Sequence, residues 1–76
     1  MHMKLYQGET GKTYLVNRVL ADEKVTRRLE ALGVNEDTPV TILNKKGSGT
    51  LIIKVRGTRL ALGRKIAAGI DMREVS

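Results

Sequence analysis

Between Leu51 and Arg64 apolar and polar residues alternate on both sides of Gly57. Leu51, Ile53 and Val55 share one side of an extended chain, while Lys54 and Arg56 share the other. Beyond Gly57, Leu60 and Leu62 return to the apolar side and Arg59 points away. A period of two is the mark of a half-buried strand. Gly57 reverses the chain, because glycine accepts positive φ at little cost. The segment reads as a hairpin with an apolar inner face and a cationic outer face. Such a hairpin buries its inner face only against further strands or a helix.

The rest of the chain supplies both. Gly8 to Gly11 is a turn signal before a strand over Lys12 to Leu20, whose alternation is imperfect. Asp22 then offers a helix N-cap, and Glu23 places negative charge at the positive end of the helix dipole. Val25, Leu29 and Leu32 form one apolar stripe, widened by Ala31; Lys24, Arg27 and Arg28 face away. Gly33 caps the helix in the left-handed region, and Val34 folds back onto its last turn. After a polar loop over Asn35 to Thr38, Pro39 opens a strand over Val40 to Lys45, where its missing N–H costs least. Lys46 to Gly49 is a tight reversal into the strand that starts at Leu51. Gly63 to Gly69 is one helical turn, and Ile70 to Val75 a last short strand.

The predicted fold is therefore mainly β: five short strands, a helix after the first, and a helical turn before the last. Five short strands in 76 residues do not bury two faces as an open sheet. Closing them into a small SH3-like barrel removes most exposed edges, and the helix plugs one end. The chain is one domain. Met1 and His2 read as a cloning scar, leaving residues 3–76 as the domain. Cysteine is absent, which suits a reducing compartment. No apolar run reaches the roughly 20 residues that span a membrane, so a cytoplasmic location is expected.

Charge is the main pointer to function. The net charge is +6, yet residues 1–38 hold six Lys/Arg and six Asp/Glu. Residues 39–76 hold eight Lys/Arg against Asp71 and Glu74, so the whole excess lies there. Such asymmetry suits an acidic partner: nucleic acid, an anionic membrane surface or an acidic protein face. A basic surface with no dedicated target is the plain alternative.

No catalytic constellation accompanies that charge. With cysteine absent and His2 in the scar, Ser48 has no base nearby and reads as a turn residue. Asp22-Glu23 and Glu36-Asp37 are adjacent carboxylates that face different ways, suited to capping rather than acid–base work. No ligand spacing for a metal is visible, and no cofactor is expected. Gly47-Ser48-Gly49 beside Lys45-Lys46 lacks the spacing of a phosphate-binding loop, and no helix follows it. The only aromatic residues, Tyr6 and Tyr14, lie in the neutral half. That opposes base stacking by the basic half, although phosphate contacts with Lys54, Arg56, Arg59, Arg64 and Lys65 stay open.

Three segments together resemble one family: Arg27-Arg28-Leu29-Glu30-Ala31-Leu32-Gly33-Val34, Pro39-Val40-Thr41-Ile42-Leu43 and Val55-Arg56-Gly57-Thr58-Arg59-Leu60-Ala61-Leu62. In order and spacing they look like FeoA, a small bacterial protein of ferrous iron transport. Gly63 departs from the longer side chain expected there. The resemblance implies an SH3-like barrel and a partner, the membrane iron transporter FeoB with its cytoplasmic G-protein domain. The same module resembles the C-terminal domain of iron-dependent repressors of the diphtheria toxin repressor type. The resulting expectation is a non-catalytic adaptor that binds FeoB and biases its nucleotide turnover or pore opening. Charge nominates Lys24, Arg27, Arg28, Arg56, Arg59 and Arg64 as its contact residues. An arginine given in trans can stabilise phosphoryl transfer, but nothing selects Arg56 or Arg59 for that role. The alternatives are a small nucleic-acid-binding barrel, and self-association through a strand edge such as Lys12 to Leu20.

Overall fold

A computed structural model describes residues 2–75, so Met1 of the expected scar, like Ser76, lies outside the described residues. Six antiparallel strands form one sheet in the order β1-β6-β2-β3-β4-β5. They are β1 (His2–Lys4), β2 (Thr13–Val19), β3 (Pro39–Lys45), β4 (Leu51–Val55), β5 (Thr58–Leu62) and β6 (Ile70–Glu74). A 3₁₀ turn (Leu5–Gln7) follows β1, α1 (Glu23–Ala31) follows β2, and α2 (Arg64–Ala68) precedes β6. The five expected strands and both helical segments are present. The sixth strand, β1, starts on His2 of the expected scar and precedes the turn read at Gly8 to Gly11; it pairs with β6 through Met3↔Met72 and Lys4↔Asp71. The ladder stops at β1 and β5, so the SH3-like sheet curls without closing. Near-equal extents of 30 × 28 × 23 Å fit a sheet rolled around its own core.

The alternation that opened the sequence is realised residue by residue. Leu51, Ile53, Val55 and Leu62 are buried, Leu60 is half-buried, and Lys54, Arg56 and Arg59 are exposed. Val55 pairs with Thr58, so Arg56 and Gly57 alone make the turn, with φ of 51° and 80°. Two consecutive left-handed residues define a type I′ turn, whose twist matches that of the strands it joins. Two bulges bend the sheet, one at Asn17 in β2 and one at Leu43 in β3. The first explains the irregular pattern of Lys12 to Leu20: Tyr14 and Val16 are buried, and the extra residue then resets the alternation.

Helix α1 starts and stops as its sequence dictates. The Asp22 carboxylate accepts from the Val25 N–H at 2.9 Å. At the other end Gly33, at φ 100°, donates to the Glu30 carbonyl, and Val34 donates to that of Leu29. This paired closure is a Schellman motif, and its apolar contact is Val34 with Leu29, both buried. It also corrects the expected stripe. Leu32 occupies the C-cap, where the chain leaves the helix, and is 42% exposed. Only Leu29 is fully buried, with Val25 packed at the core margin. Replacing Asp22 by alanine removes a local cap and no core contact. We expect it to cost about 1 kcal/mol in chemical denaturation.

The strand proposed as an open edge is not one. β2 lies between β6 and β3, paired with β6 from Tyr14 to Val19 and with β3 from Thr13 to Leu15. The open edges of the sheet belong to β1 and β5.

Candidate partner-binding surface

Among the described residues, five Lys/Arg side chains are in ion pairs: Lys4 and Arg18 with Asp71, Lys12 with Glu9, Arg27 with Glu23, and Arg73 with Asp37. The Glu9 carboxylate, by hydrogen bond and by charge, holds Lys12 above the ordinary lysine range. The other nine cations make no ion pair among the described residues, and five of them follow residue 50. The uncompensated charge counted from sequence is thus uncompensated in space as well.

The six nominated residues do not form one patch. Lys24 and Arg28, four residues apart on α1, line an open hollow of 690 Å³ with Asp22, Glu23 and Val25. Arg27, also exposed, is engaged by Glu23 one turn earlier, so its charge is largely spent within the helix. Arg56 reaches α1 from the β4–β5 turn. A Cβ placed on Gly33 would lie 2.7 Å from the Arg56 Cδ, so the arginine stem lies across the glycine that ends the helix. Its cation therefore sits near the negative end of the helix dipole. It also lines a hollow with Glu36, Asp37, Thr38 and Pro39. The fold thereby joins a β-turn residue to the helix that carries Lys24 and Arg28.

Arg59 stands directly opposite Lys54 in the β4–β5 ladder. Two like charges opposite each other weaken a sheet slightly, yet they also guard the open β5 edge against pairing with another strand. Arg64 leaves the group altogether. It lies at the far end of β4, roughly 13 Å of strand away from the Arg56 turn, against Gly49. Its guanidinium sits 5.1 Å from the centroid of the Tyr6 ring. Both aromatics belong to the neutral half of the sequence, but the fold carries one of them to the basic half. Tyr14 is core, its hydroxyl accepting from the Glu9 N–H, but Tyr6 adjoins the basic half in space. Nothing local in sequence marks that contact, because 58 residues separate its members.

The remaining predicted features fall where turn chemistry puts them. Ser48 is exposed in the β3–β4 turn, and its hydroxyl is within 3.3 Å of Thr50 Oγ1. Gly63 is the N-cap of α2, its carbonyl accepting from the Ala67 N–H. No group of three or more His, Asp or Glu side chains suited to a metal occurs among the described residues, and no helix is long and apolar enough to cross a membrane.

A family model described as the FeoA domain matches residues 3–74. No curated protein matches the chain. The crystal structure of an iron uptake regulatory protein, FeoA, superposes with a TM-score of 0.86 at 24% identity, over 99% of each chain. The solution structure of the FeoA protein from Chlorobium tepidum gives 0.91 at 28% identity, over 97% of this chain and 71% of that one. A manganese-dependent transcriptional repressor gives 0.88 at 21% identity, over 97% of this chain but 42% of the repressor, a likeness of fold. With the model spanning nearly every residue and the same rolled sheet in its relatives, this chain belongs to the FeoA family.

Proposed function

We propose that this chain is a non-catalytic accessory protein of ferrous iron transport, which docks on the cytoplasmic part of the FeoB transporter and biases its nucleotide turnover or pore opening. Family membership supports the accessory role. One observation supports the docking face: Arg56 lies across Gly33 and so adds its charge to the helix that carries Lys24 and Arg28. These three cations are exposed and make no ion pair among the described residues. Exposed arginines beside partly apolar surface, here Val25 and the 42% exposed Leu32, are the composition of a protein interface. An acidic surface on the transporter is the matching chemistry, and it raises the rate of encounter as well as affinity.

The test is a backbone NMR titration of the labelled protein with the soluble cytoplasmic domain of FeoB, at two salt concentrations. We expect shifts to cluster on Lys24 to Arg28, Gly33 and Arg56. Arg28→Glu should weaken binding about tenfold, which is roughly 1.4 kcal/mol, and leave the spectrum otherwise folded. Undiminished affinity in Arg28→Glu and in a charge reversal at Arg56 would remove this face from consideration.

A further inference from the structure

We propose that the hollow at the β3–β4 turn is a binding site for a small phosphate-bearing anion, separate from the docking face. The hollow measures 310 Å³ and is lined by Tyr6, Lys45, Lys46, Arg64 and the Gly47-Ser48-Gly49 turn above Leu51. No carboxylate lines it. All three cations are without an ion pair among the described residues, so none is neutralised by the fold. A polyanion is the ligand that three convergent cations leave unanswered.

The site is held in shape before any ligand arrives. Lys46 donates its N–H to the Thr50 carbonyl at 2.8 Å, and Gly49 donates to that of Lys46 at 3.0 Å, which closes the turn. The Ser48 hydroxyl lies 3.3 Å from that of Thr50. Gly49, at φ 96°, brings its backbone against the Arg64 stem, where an added Cβ would lie 3.2 Å from the Arg64 Cβ. The Arg64 guanidinium lies over the Tyr6 ring, 5.1 Å from its centroid. Among the described residues, the Gly47 and Ser48 amides donate to no protein acceptor. They are exposed donors of the kind that a phosphate oxygen accepts from. The short sequence motif lacked a helix to complete it; in the fold, Arg64 supplies the missing charge. The volume is at the lower end for ligand pockets. It suits a compact anion rather than a polynucleotide, which needs a groove and several stacking rings.

The experiment titrates the labelled 76-residue chain with inorganic pyrophosphate and, separately, with ATP, at constant ionic strength. The expected result is saturable shifts confined to Tyr6, Lys45 to Gly49 and Arg64. Arg64→Gln and Lys46→Gln should each weaken binding about tenfold, as loss of a charge-assisted hydrogen bond does. Lys54→Gln, which removes an exposed, unpaired charge outside the hollow, should change nothing. Tighter binding of ATP would identify a nucleoside phosphate, and equal binding the phosphate group alone; both outcomes support the site. Shifts that follow every exposed cation without saturating, or equal weakening by Lys54→Gln, would overturn it. So would preference for a single-stranded oligonucleotide with a footprint that spreads to Lys54 and Arg59.

Discussion

Gly69→Ala is expected to cost about 3 kcal/mol, as overpacking at a site that cannot give does. Gly69 ends α2 and lies against the strand end of β2, where the Leu20 N–H donates to its carbonyl at 2.5 Å. A methyl group built on Gly69 overlaps the Leu20 carbonyl oxygen. That neighbour is backbone, so no rotamer change relieves the clash. The chain must part there, and the parting lies next to the Val19↔Ile70 pair that begins the β2–β6 ladder. Ile70 itself is fully buried. A 76-residue chain holds only about 4–11 kcal/mol of total stability, so this one methyl group removes a large share. Urea denaturation should show a much lower midpoint with an unchanged slope. Gly47→Ala is the control: nothing lies within 4 Å of its added Cβ and its φ is not left-handed. It should stay neutral or gain a few tenths of a kcal/mol through the unfolded state. Equal effects at the two positions would show that the clasp between α2 and β2 is loose.

What could be read from sequence, and what could not, divides by separation along the chain. The β4–β5 hairpin was legible because its register is local: once Arg56-Gly57 makes the turn, each later residue has its partner and its side of the sheet fixed. The caps of α1 were legible for the same reason, since Asp22 and Gly33 act on groups within five residues. Leu32 was misplaced because apolar spacing continues past the point where the Schellman turn has already bent the chain. β1 was missed because three residues carry no periodicity of their own. Its register is set from the other end of the chain, where Lys4 donates to Asp71 at 2.6 Å. The site residues divide likewise. Exposure of Lys24, Arg28, Arg56 and Arg59 followed from pattern alone. The grouping of Arg56 with Gly33, and of Arg64 with Tyr6 and Gly49, is tertiary and had no signal in spacing.

Arg56→Asn should separate stability from function. Arginine at φ 51° occupies the first left-handed position of a type I′ turn, where asparagine is favoured and an ordinary side chain costs roughly 1 kcal/mol. Nothing in the hairpin itself needs that choice, since Gly57 follows it and Val55 already pairs with Thr58. What arginine gives in return is reach: its stem crosses Gly33 and sets a cation at the end of α1. Strain kept at one exposed residue, with a charge delivered to a neighbouring element, is the pattern of a residue retained for binding rather than for folding. The variant should therefore unfold at an equal or higher urea concentration than the parent. Its affinity for the FeoB cytoplasmic domain should nonetheless fall about tenfold, or roughly 1.4 kcal/mol. Together with Arg28→Glu the loss should approach a hundredfold, because the two side chains lie on different elements and their effects add unless they share a contact. Isothermal titration beside urea denaturation on the same samples makes both measurements. Weaker binding with undiminished stability ties Arg56 to the partner. A drop in stability with binding intact would instead make the guanidinium a structural strut over Gly33, and would move the docking face elsewhere on the sheet.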